Sequence, residues 1–298
     1  MPAVLKLILI IALILILIVF VYRESSGYNI VEYNIRTDKD IPGPVRFVML
    51  SDLHDTDVTH DGNKRLLASI EELDPDFVVL AGDIITSYTK DTYEHENARA
   101  FLKGLSGRKV YYGLGNHEQR YMEEPERFKG RYEKLEQYVR SLGIELLSDR
   151  FTDISDLNIR IYGFNVPLEN YRRVMPPDLV PGAIEDKFGR ADKDKLNILI
   201  AHNPQFFDEY VRFGPDIVLS GHLHGGVIGI PGIGGLISPQ LKLFPKYDFG
   251  TFSQNGTTMI VSRGIGWHSI PIRIFNKAEI VSVTIRPDMR GKTDGDQC

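Results

Sequence analysis

The chain has 298 residues, of which 43% are hydrophobic and 25% charged, with a formal net charge of −5. That balance suits a folded protein with a sizeable core, and an acidic chain without a basic run argues against nucleic acid as a main partner. A single cysteine, Cys298, excludes an internal disulfide and leaves the redox compartment undecided.

From Leu7 to Tyr22 no side chain is polar before the terminal tyrosine, and counting from Ala3 with Lys6 inside gives about twenty residues, enough for ~30 Å of hydrocarbon. A signal peptide usually has a shorter apolar region, about 7–15 residues, and Arg23, Glu24, Ser25 and Ser26 offer no small-x-small cleavage site. Residues 1–22 are therefore expected to form an uncleaved, single-pass anchor in the cell membrane. Flanking charges do not choose a side, since Lys6 and the amino terminus oppose Arg23, Arg36 and Lys39. A long polar domain crosses regardless of modest flanking charge, so the folded part is expected outside the cytoplasm, with a cytoplasmic catalytic domain as the alternative.

Residues 23–43 read as a linker or edge strand, with a strand around Tyr28 to Ile35. Next come apolar runs that end abruptly in metal-binding residue types. Phe47 to Leu50 leads into Ser51, Asp52, Leu53 and His54, and Phe77 to Ala81 leads into Gly82 and Asp83. Val110 to Tyr112 leads into Gly113, Leu114, Gly115, Asn116, His117 and Glu118. Ile198 to Ala201 leads into His202, and Ile217 to Leu219 into Ser220, Gly221, His222, Leu223 and His224. Each run reads as a buried strand.

Apolar spacing predicts amphipathic helices over Asn63 to Leu73, Tyr93 to Leu105 and Phe128 to Leu142. Further strands are predicted at Leu157 to Phe164, Leu196 to His202, Asp216 to His222, Thr257 to Ser262 and Glu279 to Arg286. Alternating strand and helix gives an α/β fold with a mainly parallel sheet, and the length beyond the anchor suits one domain over 44–286 with a polar tail at 287–298. In such sheets ligands gather beyond the carboxyl ends of the strands, which brings these strand ends to one rim.

Only eight histidines occur, and five of them, His54, His117, His202, His222 and His224, sit at those strand ends. His222 and His224 are two residues apart, so in extended backbone both imidazoles face one side. His60, His95 and His268 lie in polar surroundings and are expected at the surface. Carboxylate, imidazole and amide oxygen together suit Mn²⁺, Fe²⁺, Co²⁺ or Zn²⁺.

The blocks Asp52-x-His54, Gly82-Asp83, Gly115-Asn116-His117-Glu118, His202 and Gly221-His222-x-His224 resemble, in order, the motifs of the calcineurin-like metallophosphoesterases. Phe244 to Tyr247, Val261 to Gly264 and Ile270 to Arg273 are similar to a membrane-attached bacterial branch that includes the YkuE and YaeI phosphodiesterases. The resemblance spans roughly residues 42–286.

It implies a four-layer αββα sandwich of two mixed sheets and a site for two divalent metal ions. Asp52, His54, Asp83 and His224 would hold the first ion, and Asp83, Asn116, His202 and His222 the second, with Asp83 bridging. Two aspartates against two divalent ions leave about two positive charges for an anionic phosphoryl group. The implied reaction is hydrolysis of a phosphodiester or pyrophosphate bond by in-line attack of a hydroxide held between the ions. His117, which takes no metal, would protonate the leaving group or stabilise the transition state, with a plain hydrogen-bond partner of the ligands as the rival role. A phosphomonoesterase with the same metals is the alternative, and a non-catalytic interaction protein would be expected to lack a ligand. A lipid or nucleotide-lipid phosphate ester fits a membrane setting as substrate, and no protein partner is evident.

Three departures from the pattern stand out. Asp55 adds a carboxylate after the first block and is expected to face solvent. Leu223 and Val227 stand where threonine and glutamine are common. Between His224 and the strand at Thr257, residues 227–256 form a Gly/Pro-rich apolar stretch expected to be a hairpin packed on the sheet, with a lipid-touching flap as the rival.

Overall fold

A computed structural model of the protein describes residues 3–87, 94–172, 175–226, 229–230, 234–235, 245–267 and 272–288. Helix α1 (Ala3–Ser25) has no buried residue, is exposed up to Val19, and is long and apolar enough to cross a bilayer. The first half then runs β1 (Tyr28–Thr37), β2 (Val45–Leu50), α2 (Lys64–Glu72), β3 (Phe77–Ala81), α3 (Glu96–Gly104), β4 (Val110–Gly113), α4 (Asn116–Glu123), α5 (Pro125–Phe128), α6 (Arg131–Ser141) and β5 (Glu145–Leu147). The second half runs β6 (Arg150–Ile154), β7 (Ile159–Gly163), α7 (Glu185–Phe188), β8 (Leu196–Ile200), α8 (Phe207–Phe213), β9 (Ile217–Ser220), the short pair β10 (Gly229–Ile230) and β11 (Gly234–Gly235), β12 (Gly250–Gln254), β13 (Thr257–Val261) and β14 (Ala278–Pro287).

Two six-stranded sheets result, ordered β1-β14-β2-β3-β4-β5 and β12-β13-β9-β8-β7-β6. Both are mixed. In the first, β14 pairs antiparallel with β2 while β2, β3, β4 and β5 run parallel. In the second, β7, β8, β9 and β13 run parallel, with β6 and β12 antiparallel at the edges.

Alternation along each strand makes the layers. Phe47, Met49, Phe77 and Val79 of the first sheet meet Ile198, Ile200, Ile217 and Leu219 of the second in one core. Their neighbours Val48, Leu50, Val78 and Leu80 face the other way and bury Leu66, Ile70, Phe101 and Leu102 of α2 and α3. On the far side, Leu199, Val218 and Met259 pack on Phe207, Tyr210 and Phe213 of α8. Strands buried on both faces read as unbroken apolar runs, which is why the runs at the strand ends were legible. The outcome is the αββα sandwich.

Local departures from the sequence reading have identifiable causes. The helix expected over Phe128 to Leu142 is broken, because Gly130 takes φ 67° and starts α6 afresh. Helix α4 was unforeseen, as Asn116 to Glu123 has little apolar periodicity. Strand β1 pairs parallel with β14 from Tyr28↔Ala278 to Thr37↔Pro287, so residues 28–37 form an edge strand. Of the Gly/Pro-rich stretch, residues 250–254 form a hairpin with β13, whereas Val227 and residues 236–244 lie outside the described residues, as does His268.

Candidate metal centre

The site lies where the parallel strands of both sheets end. β2 delivers Asp52 and His54, β3 Asp83, β8 His202 and β9 His222 and His224. β4 leads through Gly115 into the first turn of α4, which carries Asn116 and His117. Gly115 is required there, since a Cβ would run into the Asp83 carboxylate, and at Gly221 it would run into Asp52. Asp52, His54, Asp83, His222 and His224 all have left-handed backbone, with φ between 50° and 70°. For side-chain-bearing residues such φ values are uncommon, and clustered strain of this kind marks functional sites.

Three groups of side chains converge. Asp52, His54 and His224 place ligand atoms within 4.8 Å of one another, as do Asp83, His202 and His222, and also His54, Asp83 and His117. His54 Nε2 lies 3.1 Å from His224 Nε2, and His224 Nε2 lies 3.3 Å from Asp52 Oδ1. His202 Nε2 lies 3.1 Å from Asp83 Oδ2 and 3.7 Å from Asp52 Oδ1. Around an ion bound at about 2.1 Å, neighbouring ligand atoms sit roughly 3.0–3.4 Å apart, so the three contacts at 3.1–3.3 Å have the spacing of a coordination shell.

The hydrogen bonds set the imidazoles for that purpose. His202 Nδ1 is 2.7 Å from the Ala81 carbonyl, which can only accept, so in the neutral ring the proton belongs on Nδ1 and the lone pair on Nε2. His54 Nδ1 is paired with the Thr86 hydroxyl at 3.3 Å. Among the described residues, the buried Asn116 Oδ1 and His202 Nε2 have no well-directed hydrogen-bond partner. Orphaned acceptors beside two buried carboxylates fit a divalent cation, so the donor set suits the metals that the motifs imply.

Electrostatics agree. Burial lifts the Asp52 carboxyl to about 6, with Asp83 adding to the rise and His202 opposing it. Burial would raise Asp83 too, but His202, His117 and His54 hold it well below the carboxylate range. His202 is pushed down by burial yet carried up to about 10 by Asp83 and Asp52, so without an ion its Nε2 holds a proton that a bound cation would displace. Burial, then His202, pushes His222 down to about 3, and burial and His54 push His224 well below the usual imidazole range. His222 and His224 are thus neutral, the ligand form, and the buried aspartates call for positive charge between them.

His117 is held differently. Its Nδ1 accepts from the Ser87 backbone N–H at 2.8 Å, with the Ser87 hydroxyl also at 2.8 Å. A backbone N–H can only donate, so in the neutral ring the proton sits on Nε2. The His117 backbone N–H donates to Asp83 Oδ1 at 2.9 Å, tying the ring to the central carboxylate.

Glu118 fastens the floor of the site. Its Oε2 accepts from the N–H groups of Asp83 and Gly115, both at 2.9 Å, and its Oε1 accepts from Ile85 N at 3.1 Å and the Tyr112 hydroxyl at 2.7 Å. Whichever way a glutamine amide turned, its NH₂ would face at least one backbone N–H donor, two of them at the Oε2 place and Ile85 N at the Oε1 place. Glu118→Gln is expected to lose roughly 2–4 kcal/mol, lowering the melting temperature by about 5–10 °C, as read by thermal unfolding. An unchanged melting temperature would show that these bonds contribute nothing net.

Several supporting residues escaped the sequence reading. Thr86 and Ser87 follow the Gly82-Asp83 block closely, and hydroxyls at that spacing were the available signal. Tyr171, whose ring meets that of His222 edge-on at 4.8 Å, carried none. Asp55 does not face solvent: it is 8% exposed and its Oδ1 accepts from Ala98 N at 2.7 Å, capping the start of α3. His60 is exposed as expected, but His95 is half-buried. His95 Nε2 lies 2.7 Å from the Tyr121 hydroxyl, and burial, then Arg131 and Arg99, push its pKa down to about 4.

A family model described as calcineurin-like phosphoesterase matches residues 45–226, more than half the chain and all of the converging side chains. The chain belongs to the calcineurin-like phosphoesterases. Membership agrees with the candidate metal-ligand groups that converge here. An uncharacterised metallophosphoesterase of Campylobacter jejuni is 27% identical over 84% of this chain, which spans 62% of that protein. The uncharacterised metallophosphoesterase YkuE of Bacillus subtilis is 27% identical over 81% of this chain and 79% of its own length. A zebrafish transmembrane protein with a metallophosphoesterase domain is 27% identical over 81% of this chain and 53% of its own length.

Proposed function

We infer that the protein is a membrane-anchored phosphoesterase using two divalent ions, which hydrolyses a phosphodiester or pyrophosphate bond. The observation that carries this reading is the convergence of two ligand sets on buried Asp52 and Asp83, with His117 tied to Asp83. Asp52, His54, Asp83 and His224 would hold one ion, and Asp83, Asn116, His202 and His222 the other. Bound there, the ions would supply positive charge for the phosphoryl oxygens and acidify a water.

The chain's own residues do the rest. Asp83 presents two oxygens, one stabilised by the His117 N–H, so it is oriented to serve both ligand sets. His117 keeps a proton on Nε2 and delivers it to the leaving oxygen. Ala81 and Thr86 keep the His202 and His54 rings turned into the site. Residues 1–22 would anchor the domain, a reading supported by the apolar character of α1.

Purified full-length protein loaded with Mn²⁺ is expected to hold two ions per chain and to cleave bis(nitrophenyl) phosphate faster than nitrophenyl phosphate. Elemental analysis and release of nitrophenol check both points. A faster monoester reaction would make it a phosphomonoesterase, and two bound ions with no turnover of either ester would overturn the enzymatic reading.

A further inference from the structure

The end of α1 is fastened to the loop that supports the metal site. Ser25 Oγ accepts from Arg273 N at 2.9 Å and donates to Arg273 O at 3.4 Å. Five residues back, the Phe20 ring lies 5.0 Å from that of Phe275. Phe275 is 52% exposed and Ile272 is 42% exposed, so the segment presents apolar side chains beside the apolar helix. Phe275 also has φ 50°, a conformation rare for a bulky residue and found where something outside the backbone is gained.

The same segment reaches the ligands. The Arg273 side chain is buried and donates to the carbonyls of Arg263, Gly264, Gly266 and Asn276 at 2.6–3.2 Å. That loop lies on the first metal block, with Ile265 N bonded to Ser51 O and Gly266 N to Asp52 O. Asn276 Nδ2 donates to the His224 carbonyl at 2.5 Å and to that of Gly226. While Asp52 and His202 are fully buried, His222 and His224 are only partly so, and His224 keeps 14% of its side chain exposed. His224 is thus a partly exposed edge of the site, and residues 272–276 tie its backbone to the foot of α1.

We propose that residues 272–276 rest on the bilayer surface where α1 leaves it, with Ile272 and Phe275 in the interfacial layer, so that the site takes the headgroup phosphodiesters of membrane lipids. This rests on the anchored phosphoesterase reading and deepens it. A lipid surface is the occupant because the exposed side chains continue the apolar surface of α1, and an aromatic ring at the end of a spanning helix sits at headgroup depth. A phosphate held in that layer meets the site at high effective concentration, whereas a soluble ester gains nothing from the placement.

The test uses the full chain in phosphatidylcholine and phosphatidylglycerol vesicles. In one arm, Trp267→Phe with Phe275→Trp leaves a single reporter, which brominated lipids should quench, while Trp267→Phe with Phe151→Trp, on exposed β6, should stay bright. In the other, Ile272→Asp with Phe275→Asp should slow hydrolysis of a headgroup-labelled phospholipid at least about tenfold while leaving bis(nitrophenyl) phosphate within about twofold. Aspartate tolerates the backbone of residue 275, so folding should survive the change. An unquenched reporter at 275, or equal effects on the two substrates, overturns the proposal. Release of the protein from vesicles by an alkaline wash would instead overturn the anchor, and failure to cleave either substrate the phosphoesterase reading.

Discussion

Asp83→Asn is expected to bind fewer than two ions per chain and to lose activity by more than the roughly 10–100-fold that removal of an outer-shell partner costs. Asp83 is 2% exposed and lies between the two ligand sets, with Oδ1 taking the His117 N–H and Oδ2 facing His202 at 3.1 Å. An asparagine would keep its oxygen on the His117 N–H and turn an NH₂ group towards His202 and His54, where a lone pair is needed. One of two buried negative charges would go with it. Elemental analysis of the purified variant, alongside its turnover, checks both effects. Two retained ions with near-normal turnover would remove Asp83 from the centre of the site.

His117→Ala separates proton delivery from metal binding. The variant is expected to retain both ions and lose on the order of 10² to 10⁴ in rate. Its Nδ1 is already engaged by the Ser87 N–H, which leaves the ring a proton donor through Nε2. The loss should therefore shrink for nitrophenyl esters, whose leaving oxygen needs no proton, and be largest for alkyl esters. A loss of equal size across leaving groups would speak for a positioning role, and a loss of metal would make His117 a ligand.

Much of the site could be read before any coordinates, because each candidate ligand follows a run of residues that can hardly be anything but a buried strand. Phe47 to Leu50 and Ile198 to Ala201 are apolar on both faces, and polar residues can follow them only at a strand end. Asn116 and His117 were legible as residues but not as the first turn of a helix. That turn depends on Glu118 reaching back to Gly115 N, a contact with no periodicity to announce it. The misplacement of Asp55 has the same origin: a carboxylate next to a metal block reads as solvent-facing until α3 brings the Ala98 N–H against it.

By itself the sequence determined the apolar helix at the amino terminus, the α/β class and the identity of the metal-binding residue types, since these follow from local runs, alternation and residue chemistry. Only the tertiary structure decided how they combine. Strand order such as β1-β14-β2, in which β1 and β2 are parted by the last strand of the chain, depends on pairing between distant segments. The tautomers of His117 and His202 rest on Ser87 and Ala81, 30 and 121 residues away. The link from Ser25 through Arg273 to the Asp52 loop joins residues 248 positions apart at its first step. Contacts across such separations arise from the packing of sheets and loops, and a local pattern of side chains carries no trace of them.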